Sequence, residues 1–183
     1  MKRICLFCGS STRVGTHYLD LARNFGGLLA ARGIELVYGG GSIGLMGAAA
    51  DAALEAGGRV IGVIPDALAR KEVMHEGLTD LRIVGSMHER KALMAELSDG
   101  FAALPGGLGT LDEWFEIWTW AQLGIHDKPI GLLNFAGFFD PLLAFLDRLV
   151  AEGFVRPEHR AMAVVEGDSA TLIGRLASAS EGV

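Results

Sequence analysis

A chain of 183 residues, half of them hydrophobic, with mean hydropathy +0.35, has material for one full core and not comfortably for two. Its net charge of −6, with no basic block and no basic residues interleaved with aromatics, argues against a nucleic-acid polymer as partner; binding a phosphate backbone needs a positive face. No apolar stretch reaches the roughly 18 uninterrupted residues of a membrane span, so no membrane partner is expected.

The chain opens Met1-Lys2-Arg3-Ile4-Cys5-Leu6-Phe7, running straight into a strand pattern without the long apolar region of a signal peptide. A cytoplasmic location is expected. Ile4–Cys8 reads as the first strand, followed by a helix over Tyr18–Ala31 and a second strand at Glu35–Tyr38. A helix from Gly44 to Ala56 leads to a strand at Val60–Ile64. The stretch from Asp66 to Thr79 mixes charge with His75 and Gly77 and is the least regular. Leu81–Val84, a helix over Met87–Leu97 and a strand at Phe101–Leu104 resume the alternation. A helix opening near Thr110 precedes a strand at Ile130–Leu133. Asp140-Pro141 supplies a cap and a first-turn proline for a helix to Val150, and Ala163–Val165 and a helix over Thr171–Ala177 end the series.

Strands that are apolar throughout, each followed by a helix, belong to a parallel sheet covered on both faces. The expectation is an α/β, doubly wound, Rossmann-like parallel sheet with helices on both faces, in a single domain over residues 1–183. Cys5 and Cys8 have C-x-x-C spacing but lie within the strand itself. Period-two alternation sends them to opposite faces, so they read as buried thiols rather than a redox pair.

In such a sheet, ligands bind beyond the carboxyl ends of the strands. Three strand ends here carry small, N–H-rich loops: Cys8-Gly9-Ser10-Ser11, Gly39-Gly40-Gly41-Ser42-Ile43-Gly44, and Pro105-Gly106-Gly107-Leu108-Gly109-Thr110. Glycines let backbone N–H groups approach a phosphate, and a helix start adds unpaired donors and the positive end of a dipole. Gly39, Gly41 and Gly44 formally match G-x-G-x-x-G. A dinucleotide fold, however, carries that motif after its first strand, with an acidic residue ending the next, and Asp66 behind Pro65 fits that role poorly. A Walker A sequence is absent, and the five histidines have no metal-ligand spacing. No metal and no cofactor are expected.

Two candidate charges accompany the loops. Thr110-x-x-Glu113 reads as a capping box that also places a carboxylate beside the third loop, and Ser86-x-x-Glu89 reads as another capping box. Arg90 shares a helical stripe with Leu93, Met94 and Leu97, a costly place for a guanidinium unless it meets an anion or its stem carries it outward. A phosphate clamp, or a bridge to Glu113, is the functional alternative.

The segments Ser86-Met87-His88-Glu89-Arg90-Lys91, Pro105-Gly106-Gly107-Leu108-Gly109-Thr110-Leu111-Asp112-Glu113 and Tyr38-Gly39-Gly40-Gly41-Ser42-Ile43-Gly44-Leu45-Met46-Gly47 resemble the LOG ("Lonely Guy") family. These are cytokinin riboside 5′-monophosphate phosphoribohydrolases, often mislabelled lysine decarboxylases. The likeness runs from about Ile4 to Val155. It implies an enzyme that hydrolyses the N-glycosidic bond of an adenosine 5′-monophosphate, N6-modified or plain, to free base and ribose 5-phosphate. It implies Arg90 and Glu113 as the catalytic pair. Gly106, Gly107, Leu108, Gly109 and Thr110 would hold the phosphate, with Glu72, Lys91 and Thr119 completing the substrate site and Gly9, Ser10, Gly41 and Ser42 contributing loop backbone. It also implies a homodimer with active sites near the interface, an occupation for the apolar segment Trp114–Trp120. Asp112, where the family often has Glu, and the loop Thr12–His17 depart from the family pattern. The competing reading is a non-catalytic nucleotide- or cofactor-binding carrier on the same fold. Lysine decarboxylation is the weakest, since nothing marks a Schiff-base lysine for pyridoxal phosphate.

Overall fold

Short segments, most of them too uniformly hydrophobic to face water on either side, pair into one parallel sheet. In the computed structural model, which describes residues 1–69 and 74–180, the strands are β1 (Arg3–Phe7), β2 (Glu35–Tyr38), β3 (Val60–Pro65), β4 (Asp80–Val84), β5 (Gly100–Ala103), β6 (Ile130–Leu133) and β7 (Ala163–Glu166). Their spatial order is β4-β3-β2-β1-β5-β6-β7. Every pairing among them is parallel, with Cys5 beside Val37 on one side and Phe101 on the other. The helices are α1 (Thr16–Ala31), α2 (Gly44–Glu55), α3 (Asp66–Ala69), α4 (Met87–Leu97), α5 (Leu108–Gln122), α6 (Asp140–Ala151), α7 (Pro157–Ala161) and α8 (Ser169–Ala179).

Alternation within the strands divides the core into two layers. Ile4, Leu6, Leu36 and Tyr38 face α1, α2 and α8, where Phe25, Leu29, Ala49, Leu172 and Leu176 are buried. Cys5, Phe7, Val37, Val63 and Phe101 face the other way, onto Met94 of α4, Trp114, Ile117 and Trp118 of α5 and Leu146 of α6. Each such large side chain contributes about 1.5–3 kcal/mol by leaving water. The cysteines are free and buried, Cys5 in the second layer and Cys8 in the first.

The winding decides where a ligand can go. The chain begins at the centre with β1, travels outward to β4, then returns to lay β5 on the free side of β1. The connection after β1 leads to α1 on one face, and that after β5 leads to α5 on the other. A crevice therefore opens between the carboxyl ends of β1 and β5, at the topological switch point.

Element boundaries differ from expectation at three informative places. Helix α5 starts at Leu108 with Gly107 as its N-cap and no side-chain cap, so Thr110 is the third helical residue. The expected capping box at Thr110-x-x-Glu113 does not form, and Glu113 belongs to the second turn. Helix α6 has Phe139 as N-cap, placing Asp140 inside the helix and Pro141 at its second position. The capping there comes from Asn134, whose Oδ1 accepts from the Phe139 N–H (2.8 Å) while its Nδ2 donates to Asp140 (2.7 Å). Ser86 does cap α4, its Oγ accepting from Glu89 N at 3.1 Å, but the Glu89 carboxylate reaches back to Gly85 N (2.7 Å).

Candidate active site

Gly9 joins the loops at the switch point. Its N–H donates to the Pro105 carbonyl (3.2 Å), and its own carbonyl accepts from Leu45 N in the first turn of α2 (2.9 Å). The loops after β1 and β5 and the start of α2 are thereby fixed to one another. They enclose a cleft of about 300 Å³ lined by Cys8, Gly9, Ser10, Ser11, Met46, Arg90, Gly107, Leu108, Gly109, Thr110 and Glu113.

One wall is the start of α5. The N–H groups of Leu108, Gly109 and Thr110 occupy its first turn, where no intrahelical carbonyl is in reach, and together with the dipole they form an anion seat. Thr110 is buried, and its hydroxyl packs onto Gly106, where a Cβ would collide with it.

The opposite wall carries Arg90, only 6% exposed. The outward stem is not adopted. Its Nε donates to the Val63 carbonyl within β3 (3.1 Å) and its Nη2 to the Gly39 carbonyl just past the end of β2 (3.0 Å). Those bonds offset the cost of burying the guanidinium. The remaining nitrogen, Nη1, lies 3.9 Å from Glu113 Oε1 and 3.9 Å from Met87 Sδ. Glu113 is itself largely shielded, at 14% side-chain exposure. Burial first, and the charge of Glu113 second, push the Cys8 thiol far above its ordinary range. Cys8 therefore stays protonated and offers no nucleophile.

The structure brings together Arg90, Glu113, Gly107, Leu108, Gly109, Thr110, Gly9 and Ser10. Gly106 lies just behind them, against Gly9. The middle of the second glycine loop is elsewhere: Gly41 forms a bridge with Met74, and the Ser42 carbonyl is tucked against Gly47 of α2. Lys91 does not line the cleft; its Nζ lies 3.0 Å from both Asp112 and Glu116. Thr119 is exposed, two residues short of the last turn's Ala121 and away from the cleft lining. Glu72 lies outside the described residues. Cys8 and Ser11 bound the first of the N–H-rich loops and Met46 stands in the first turn of α2, two residues past Gly44; these three also line the cleft, though none was singled out as a site residue from the sequence.

A family described as "Possible lysine decarboxylase" matches residues 46–176. A rice (Oryza sativa subsp. japonica) protein named "Probable cytokinin riboside 5′-monophosphate phosphoribohydrolase" is 55% identical over 175 residues, covering 96% of this chain and 77% of that protein. An Arabidopsis thaliana cytokinin riboside 5′-monophosphate phosphoribohydrolase is 51% identical, covering 96% of this chain and 82% of its own length. Among solved structures, the Moco carrier protein of Chlamydomonas reinhardtii superimposes with a TM-score of 0.73 at 24% identity, covering 100% of this chain and 99% of the carrier. The molybdenum cofactor binding protein of Rippkaea orientalis does so equally well, again at 24% identity and with 97% of each chain covered. At that identity the likeness concerns the fold alone.

Proposed function

The chain belongs to the LOG family of cytokinin riboside 5′-monophosphate phosphoribohydrolases, and we propose that the switch-point cleft is where it performs that hydrolysis. The reaction splits the N-glycosidic bond of a nucleoside 5′-monophosphate, releasing free base and ribose 5-phosphate. The observation that carries the assignment is the pairing of Arg90 with Glu113 across a cleft whose other wall is an anion-binding helix start.

Each part has a physical task. The first-turn N–H groups of α5 and the Thr110 hydroxyl bind the 5′-phosphate, fixing the ribose by its far end. Cleavage passes through an oxocarbenium-like state with positive charge growing at C1′. The Glu113 carboxylate stabilises that charge and orients the water that attacks C1′; the bonding electrons leave with the base, and the proton the water loses is balanced by the one the base nitrogen takes up. Glu113 stands in the second helical turn, with the Arg90 guanidinium 3.9 Å from its Oε1. Arg90 is never a base, and two of its donors are committed to the carbonyls of Val63 and Gly39. Its role is a fixed positive charge that aligns Glu113.

Two further elements belong to this reading. Trp114, Ile117 and Trp118 are absorbed by the core, whereas Leu123 and Ile125, at the end of α5, are each 65% exposed. With exposed Thr119 on the same helix, they form the surface for a homodimer. No described helix is long and apolar enough to cross a membrane, and the enzyme works on a nucleotide in the cytoplasm. The decisive assay incubates the protein with AMP and with an N6-prenylated AMP. Equal amounts of free base and ribose 5-phosphate are expected, and bound but intact nucleotide from both would favour a carrier.

A further inference from the structure

Lys91 follows Arg90 on α4, and its ammonium crosses to α5. Nζ lies 3.0 Å from Asp112 Oδ2 and 3.0 Å from Glu116 Oε2, the carboxylates immediately before Glu113 and one turn after it. The two helices therefore carry two cation–carboxylate bridges side by side. Arg90–Glu113 spans 3.9 Å inside the cleft, and Lys91–Asp112/Glu116 lies outside its lining.

The outer bridge is not an ordinary surface pair. The Lys91 side chain is 12% exposed and that of Glu116 26%, so solvent screens that contact less than it would an exposed pair, while Asp112, at 64%, lies on the solvent side. Burial alone would pull the ammonium's pKa down. Hydrogen bonds and charge from Asp112 and Glu116 outweigh it, and the pKa is raised. Lys91 is thus held as a cation by two partners on the helix that bears Glu113. Each helix is anchored to the sheet by its own apolar face, α4 through Met94 and α5 through Trp114, Ile117 and Trp118. The two bridges join the helices to each other at the level of the reactive pair.

We propose that Lys91 is a positioning residue: by gripping Asp112 and Glu116 it sets where Glu113 stands relative to Arg90. The proposal rests on the glycosidic-hydrolysis reading of the cleft. It also gives Asp112 a task, as one of two anchors for the lysine.

The test compares Lys91→Met, Lys91→Arg, the pair Asp112→Asn with Glu116→Gln, and all three neutralising changes together. Turnover of AMP or its N6-prenylated form gives kcat and KM, and calorimetry with ribose 5-phosphate gives product affinity. Lys91→Met and the Asp112/Glu116 pair should each lower kcat on the order of 10- to 100-fold, the scale of a misplacement near 1 Å. KM and ribose 5-phosphate affinity should stay within about threefold. The combined variant should be no worse than either part, because all remove one bridge. Lys91→Arg, whose fork can reach both carboxylates, should retain kcat within about threefold. Wild-type kcat in the Asp112/Glu116 variant would overturn the proposal, since Lys91 stays charged there. So would a Lys91→Met variant with intact kcat, a raised KM and weakened ribose 5-phosphate binding, the signature of a ligand-binding lysine. Wild-type protein that released no base would overturn the functional reading and this inference with it.

Discussion

Gly39 and Arg90 compete for one volume: the Gly39 carbonyl accepts from Arg90 Nη2 at 3.0 Å, and a Cβ on residue 39 would collide with that same nitrogen. Glycine at 39 is thus the seat on which the guanidinium rests. Gly39→Ala should push Arg90 out of register with Glu113 while leaving the α5 anion seat untouched. Steady-state kinetics should show kcat down on the order of 10²-fold, with KM little changed. A Gly39→Ala enzyme with normal kcat would show that the seat does not matter.

Thr110 tests the other wall. Its hydroxyl is buried against Gly106 at the first turn of α5. Thr110→Val keeps the shape and removes one hydrogen-bonding group from the phosphate seat. A bond to a charged group is worth about 1.5–3 kcal/mol, so KM should rise roughly 10- to 100-fold. The check is KM for the nucleotide together with calorimetric affinity for ribose 5-phosphate, which should fall in parallel.

The pH dependence of stability has an assignable contributor in His126. Its ring is half-buried, Nε2 faces the Ile117 carbonyl at 2.9 Å and Nδ1 accepts from Lys128 N at 3.2 Å. Burial lowers its pKa below 6.5, the Ile117 carbonyl opposes the shift, and Lys128 adds to it. Above about pH 6.5 the ring is neutral in both folded and unfolded chains and nothing is lost. As pH falls below that value the unfolded chain takes up the proton first, so stability declines toward the depressed folded value. Melting temperatures between pH 7.5 and 5.5 should fall, and His126→Gln should flatten the slope. An unchanged slope would assign the effect to other groups.

Leu123 and Ile125, each 65% exposed, predict a dimer. Size-exclusion chromatography with light scattering should give twice the 19.4 kDa chain mass, and Leu123→Glu with Ile125→Glu should return the monomer. A wild-type monomer at all concentrations contradicts the dimer.

The strand–helix alternation was legible because most strands, β4 with its Asp80 and Arg82 apart, are apolar runs, and helices such as α4 and α8 open on a capping side chain. Arg90 was legible as a charge on the stripe of Leu93, Met94 and Leu97, yet its partners were not. They are backbone carbonyls of Val63 and Gly39, which carry no side-chain signature. Thr110-x-x-Glu113 misled for a related reason. The true cap, Gly107, has no side chain, and the nearest capping pattern lay three residues later. Lys91 could be named from family likeness but not placed, because its pairing with Asp112 and Glu116 depends on the spacing of two helices far apart in sequence. The second glycine loop divides between two faces. Gly39 and the α2 start turn toward the cleft, while the residues between them turn to Met74 and Gly47.

The central claim is that Glu113, aligned by Arg90, drives glycosidic hydrolysis. Glu113→Gln keeps the size of the side chain and removes its charge. Nucleotide affinity by calorimetry and base release by chromatography, measured on that one variant, test the claim directly. Affinity should stay within about threefold of wild type while base release falls on the order of 10³-fold. Base release near the wild-type rate would contradict it.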